Sequence, residues 1–222
     1  LSKRNGDASF MDLYNSGYLP EAIVNYLSLL GWSPTNNQEL FTMDELIHNF
    51  DEHRISKSSS QYDVKKLRWF NAQYIKKMEE DKYLAWIKKY FTRDVSNKSS
   101  EWVDKLLLIY KDHLNYGEEI NELTANFFID SITLDAEEKE FLDSDPVTKD
   151  VIATFRKEVD SITDWNIDAI NNAINNIKNT LGVKGKLLYM PIRIKASGFM
   201  HGPELADTIY LIGKDTVLER LK

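Results

Sequence analysis

The sequence predicts an all-α protein, mainly helical along its length. Three observations carry that expectation. Apolar residues recur at helical spacing in most stretches, as in Ile170, Ile174, Ile177 and Leu181. Sustained period-two alternation is almost missing. Capping residues and glycines punctuate the periodic stretches where helices should start and stop. With 222 residues, 42% hydrophobic and 12% aromatic, the chain has material for a packed core in one large domain or two or three small ones.

Taken in order, residues 21–30 set Ile23, Leu27 and Leu30 on one face, with Pro20 near the start and Gly31 just past the end. Thr42 and Glu45 have the spacing at which a hydroxyl and a carboxylate cap each other's backbone N–H groups. Val64, Leu67, Asn71, Tyr74 and Met78 trace one face of a helix opening after Asp63. Trp102, Leu106, Ile109 and Tyr110 do the same after Ser100, and Phe127 and Phe128 close another helical stretch. The isoleucine stripe from Ile170 ends at Gly182. Residues 207–211 and 216–221 read as two short helices broken at Gly213. Strand candidates are confined to residues 186–189 and 192–195. Loop signals are densest at 31–37, 56–60, 96–100, 144–146 and 182–185. Boundaries near 80 and 145 divide the chain into segments 1–79, 80–144 and 145–222.

Several classes of chemistry are excluded. Cysteine is absent, which removes disulfides, thiol catalysis and cysteine zinc sites. His113 and His201 are far from each other and from His48 and His53, and none sits in an HExxH motif, so no metal is expected. No nucleotide-binding glycine loop or serine-nucleophile motif occurs. The acid pairs Glu79/Glu80, Glu118/Glu119 and Glu137/Glu138 are expected on solvated helix faces, because adjacent helical positions point about 100° apart. No apolar run reaches membrane-spanning length. Leu1 in place of an initiator methionine, with no signal pattern after it, leads us to expect a trimmed chain or a fragment.

The net charge of −7 is unevenly distributed. Residues 52–93 hold eleven cations and five anions, and 182–222 hold seven and four, while 94–181 hold eight and nineteen. Two basic zones thus flank an acidic one. Lysines scattered over solvated faces and a surface for a polyanion both fit that pattern.

Three places could meet a polyanion. Lys3, in a short basic N-terminal stretch, could neutralise a phosphate. The stretch from Arg54 to Asn71 contains Arg54, Lys57, Lys65, Lys66 and Arg68 among serines and aromatics, a mixture suited to phosphate and ribose. Trp69 and Phe70 could stack on bases, but helical aromatics more often pack in a core. The third place follows Gly185. Arg193 there precedes the turn Gly198-Phe-Met-His201-Gly202-Pro203, then Leu205. A flat arginine beside a Gly-Pro turn suits splayed bases, and equally suits a helix-capping loop with a surface arginine.

Ordered along the chain, these residues resemble the glutamyl-tRNA synthetase family of class I synthetases. Leu1-Ser2-Lys3-Arg4 resembles the end of the KLSKR form of the KMSKS loop. Gly17-Tyr-Leu-Pro-Glu-Ala22, Leu29-Leu-Gly-Trp-Ser-Pro34, Phe50-Asp51, Arg54-Ile-Ser-Lys-Ser58 and the stretch from Asp63 to Asn71 follow in family order. Tyr116-Gly117-Glu118, Met190-Pro-Ile-Arg193, Ser197-Gly198, His201-Gly-Pro-Glu-Leu205 and Leu211-Ile-Gly-Lys214 complete the set.

The resemblance implies a stem-contact segment (1–79) and a helical anticodon-binding region in two parts (80–144 and 145–222). It implies that Lys3 belongs to the ATP-stabilising loop, that Arg193, Gly202 and Leu205 lie at the anticodon, and that Arg54, Lys57, Lys65, Lys66 and Arg68 face the inner tRNA arm. Glutamate tRNA is the implied partner. Whether glutamine tRNA is a second one depends in the family on a residue around 111–116. ATP and Mg would serve the whole enzyme, with no cofactor in this piece. The upstream catalytic domain is expected to be missing, so the piece alone should not activate glutamate. A cytoplasmic, monomeric, membrane-free protein is expected. The competing expectation is a helical scaffold whose acidic middle binds a basic protein.

Overall fold

A computed structural model of the protein describes residues 9–56 and 61–222. Among them are thirteen α-helices and a single antiparallel bridge, Trp32 with Ile55. The helices run α1 Phe10–Asn15, α2 Pro20–Gly31, α3 Met43–Asn49, α4 Val64–Lys77, α5 Glu80–Ile87, α6 Ser100–Ile109 and α7 Ile120–Leu123. They continue as α8 Ala136–Asp143, α9 Val147–Ser161, α10 Ile167–Leu181, α11 Lys186–Ser197, α12 Leu205–Ile212 and α13 Lys214–Arg220. None is long and apolar enough to cross a membrane. The all-α expectation holds.

The chain forms two compact units. One is Leu1–Lys98 with Tyr110–Glu122, the other Ser99–Ile109 with Leu123–Lys222. The residue-80 boundary falls between α4 and α5 inside the first, and the residue-145 boundary between α8 and α9 inside the second.

In the first unit α2 packs on α4 and α3. Leu13, Tyr18, Ile23, Tyr26, Leu67 and Phe70 form its main core, and Trp32, Phe41 and Leu46 a smaller one. The caps follow from sequence. Thr42 and Glu45 form the expected capping box on α3, Ser9 and Asp12 form another on α1, and Asp63 accepts from the Lys65 and Lys66 N–H groups. Each satisfies donors that the first helical turn leaves orphaned, worth about 1 kcal/mol apiece.

Asn25 is fully buried and knits α2 to the segment before α3. Its Nδ2 donates to the Glu39 carbonyl at 2.9 Å, and its Oδ1 accepts from the Phe41 N–H at 2.9 Å and from the Tyr74 hydroxyl at 2.7 Å. Asn71, also buried, accepts from the Leu19 N–H at 2.8 Å and donates to the Asn115 carbonyl at 2.6 Å. Burial pushes Tyr26, Tyr74 and Tyr83 of this unit above the usual phenol range, Tyr74 to about 12. These phenols stay protonated in the folded protein after they would ionise in the unfolded chain, near 10. Their stabilising effect is present below that pH and is lost as pH rises toward 12. Helicity is therefore expected to fall together with a late tyrosinate absorbance rise. Ionisation of all eleven tyrosines near pH 10 with helicity intact would contradict this.

In the second unit α9 packs on α10 and α11 packs on both, with Val151, Phe155 and Val159 of α9 and Ile170, Ile174 and Ile177 of α10 buried. The isoleucine stripe ends where predicted, with Gly182 at φ 67°, a left-handed cap favourable to glycine. Both strand candidates are corrected, since residues 186–189 and 192–195 lie within α11. That helix also contacts α8, α12 and α13, and Leu188, Pro191, Ile192, Ile194 and Ala196 are all buried. A helix covered on several sides loses its single apolar stripe, which blurs the period that would identify it. The solvated-face expectation fails at Glu138. It is only 6% exposed and forms a capping box with Asp135 at the start of α8.

Candidate nucleic-acid interface

The first basic surface is the start of α4 and the short turn Glu52–Arg54 before it. Arg54 is exposed, yet its guanidinium is committed. Nε donates to the Ser33 carbonyl at 2.7 Å and Nη2 to the Pro34 carbonyl at 2.8 Å, clamping the loop after α2. Lys66 pairs with Glu39 at 2.7 Å across exposed side chains, a contact worth little by itself. The Arg68 guanidinium lies 5.3 Å from the Tyr116 ring centre, and Tyr116 stacks on Tyr18 at 5.4 Å. A hydrogen bond with the Tyr18 hydroxyl raises the Arg68 pKa further. Lys65 extends into solvent. Trp69 is 43% exposed while its neighbour Phe70 is fully buried, so the two aromatics divide between surface and core. Lys3 and Lys57 lie outside the described residues.

The second site is built by α11 and the turn after it. Gly198 closes α11 at φ 72°, and Asn126 Nδ2 donates to the Ser197 carbonyl at 2.9 Å, leaving no room for a side chain at Gly198. The chain then turns through Gly202, φ 154°, and Pro203 into α12. Arg193 Nη2 donates to the Pro203 carbonyl at 2.8 Å. A side chain at Gly202 would come within 3.5 Å of Arg193 Nη1. A planar donor is thus fixed against a bare backbone turn. Leu205 opens α12 with its side chain 6% exposed, so it supports the turn from beneath. No side chain caps that helix start.

Sequence reasoning missed Arg220. It is buried in α13 and donates to four backbone carbonyls, those of Asn126, Ile129, Asp130 and Ala196. An arginine in an ordinary terminal helix carries no local signal of such a role. Among the described residues, no three His, Asp or Glu side chains are grouped to hold a metal ion.

An all-helical chain whose second unit presents a fixed arginine at a Gly-Pro turn defines a class. Residues 69–222 match the sequence model of the anticodon binding domain, and residues 1–69 match that of the class I tRNA synthetase (E and Q) catalytic domain. The chain belongs to the anticodon-binding-domain family. Over its whole length it is 43% identical to the glutamate–tRNA ligase of Mesoplasma florum and 40% to that of Bacillus subtilis, covering 47% of each. Among solved structures, a glutamate tRNA ligase from Elizabethkingia meningosepticum superposes with a TM-score of 0.76 at 26% identity, over all of this chain and 47% of that one. The chain thus spans about half the length of the curated relatives it matches.

Proposed function

We propose that this chain is the tRNA-binding part of a cytoplasmic glutamate–tRNA ligase, gripping the tRNA for glutamate at its inner arm and its anticodon. The observation that carries the reading is the match of the anticodon-binding model to residues 69–222. Whole-chain similarity to glutamate–tRNA ligases supports the choice of tRNA. Cations near the start of α4, Lys65 and Lys66 above all, neutralise phosphates, and Arg68 and Arg54 stiffen the surface around them. From the sequence resemblance alone, Lys57 is a further phosphate contact and Lys3 is part of the ATP-stabilising loop of the whole ligase, which uses ATP and Mg. We further propose the finer division into 1–79, 80–144 and 145–222, and a monomeric state.

Arg193 reads a base edge in this proposal. Its guanidinium is held flat by Pro203, so little side-chain entropy is lost on contact. Gly202 lets a base approach the backbone, and Leu205 holds the turn up. Arg193→Ala is expected to reduce discrimination between glutamate tRNA and an anticodon-swapped version by about 1–3 kcal/mol, measured by filter binding at fixed salt. Lys65→Ala should weaken both tRNAs equally and reduce the salt slope by about one. An Arg193→Ala protein that weakens on both tRNAs alike would remove the base-reading assignment. The isolated chain should give no glutamate-dependent ATP–pyrophosphate exchange.

A further inference from the structure

A cavity of about 640 Å³ opens on the second unit, lined by α9, the ends of α8 and α13, and Lys195 of α11. Neither Arg193 nor the Gly198–Pro203 turn takes part in it. Lys195 follows Arg193 by two residues, about 200° round the helix. The cavity therefore sits on the far side of α11 from the guanidinium proposed to read tRNA.

Its lining has two parts. Five cations surround it: Lys149, Arg156, Lys157, Lys195 and Lys222. Against them stand two carboxylates, Asp143 and Asp160. The side chains of Lys149, Arg156, Lys157 and Lys195 make no ion pair or hydrogen bond in the described structure. Lys149, Arg156 and Lys157 come from the acidic stretch 94–181, and Lys195 and Lys222 from the basic C-terminal zone. The floor is apolar, made by Leu142, Ile152, Leu218 and Leu221.

We propose that this groove seats an acidic amphipathic helix of a protein partner. Phosphodiester backbone gains nothing from a leucine and isoleucine floor, because phosphate contacts are made by cations and hydroxyls. A helix with apolar anchors on one face and carboxylates along its edges satisfies both parts of the lining. The spacing agrees. Lys149 and Arg156 are seven residues apart on α9, about 10.5 Å along its axis, the repeat of carboxylates at i and i+7 on a docked helix. Asp143 and Asp160 set polarity, since each would meet a lysine or an N–H rather than a carboxylate. The proposal is independent of the tRNA reading.

The test uses the full chain and a fluorescent helical peptide of about 18 residues, with leucines at i, i+3 and i+7 flanked by glutamates. Anisotropy should report saturable binding that weakens with salt. The exposed double charge reversal R156E/K157E should weaken it at least tenfold, roughly as expected for losing two close charge pairs. Ile152→Ser should weaken it severalfold, and Arg193→Ala should leave it unchanged. Circular dichroism establishes that each variant is folded. A peptide with serines for leucines should not bind. If it binds equally well, charge alone is responsible and the groove is not an apolar seat. Peptide binding unaffected by R156E/K157E also overturns the proposal. So does a result in which that variant loses tRNA affinity tenfold while no peptide binds, because the groove would then be a nucleic-acid surface.

Discussion

Replacing Arg220 with methionine is expected to destabilise the second unit by about 3–5 kcal/mol, the range found when one partner of a buried charge network is removed. The side chain is 6% exposed, and its donors reach the Asn126 carbonyl at 2.5 Å, Ala196 and Ile129 at 2.6 Å and Asp130 at 3.2 Å. Ala196 is in the last turn of α11, whose carbonyls have no helical donor and form the negative end of the helix dipole. Asn126 sits in the short 3-10 turn Ala125–Phe128, and Ile129 and Asp130 follow it, with carbonyls equally in need of donors. One guanidinium thus satisfies the end of α11 and the loop that passes it. Burial pulls its pKa down and Asp130 pulls it back up. Methionine would fill much of the volume and leave four carbonyls without this donor, each costing about 1–3 kcal/mol where water cannot reach. Arg220→Lys supplies fewer donors from a single point and should recover only part of the loss. Urea denaturation followed by circular dichroism measures both. A methionine variant within about 0.5 kcal/mol of the parent would show that the network contributes nothing net.

That network also shows what sequence could and could not reveal. Helices with one buried face and a local cap were legible. The stripe ending at Gly182 and the Thr42–Glu45 box needed only neighbours within a few residues. α11 was misread at both ends because its several buried sides erase the 3.6-residue period. The stretch that forms α9 was not picked out from the sequence, although Val151, Phe155 and Val159 recur every four residues, a helical spacing. At the candidate site, turn chemistry singled out Arg193 and the Gly202-Pro203 turn but suited a capping loop equally, and the anticodon role came from the family resemblance; the Arg193 hydrogen bond to Pro203 spans only ten residues. Arg54 was named as a cation, but its attachment to Ser33 and Pro34 depends on how a distant loop folds back. Local rules predict caps and stripes. Contacts across 20 or 90 residues are decided by packing.

The motif glycines Gly17 and Gly117, far apart in sequence, meet in the first unit, and Gly17→Ala is expected to be the most damaging small substitution there. Gly17 has φ 93°, a left-handed conformation that costs a residue with a Cβ about 1–2 kcal/mol. Its carbonyl accepts from the Gly117 N–H at 3.1 Å, and the Glu118 N–H donates to the Ser16 carbonyl at 3.0 Å. These bonds draw two backbones into direct contact. A Cβ on Gly17 would meet Gly117 Cα and N at 2.5 Å, main-chain atoms that cannot rotate away. On Gly117 it would meet the Tyr90 ring at 2.5–2.9 Å. Strain and forced separation together should cost Gly17→Ala about 3 kcal/mol or more. Gly117→Ala should cost somewhat less if Tyr90 can turn aside. Because an added Cβ at either position also presses on the Tyr90 ring, the effects of the two substitutions should not be additive in the double variant. Gly31→Ala is the internal control. It lies at the end of α2 with nothing within 4 Å of an added Cβ, so it should be neutral or stabilising by up to about 1 kcal/mol. Urea midpoints for the four proteins would decide the matter. If Gly17→Ala is no more destabilising than Gly31→Ala, the close approach of these two motifs is not what fixes the first unit.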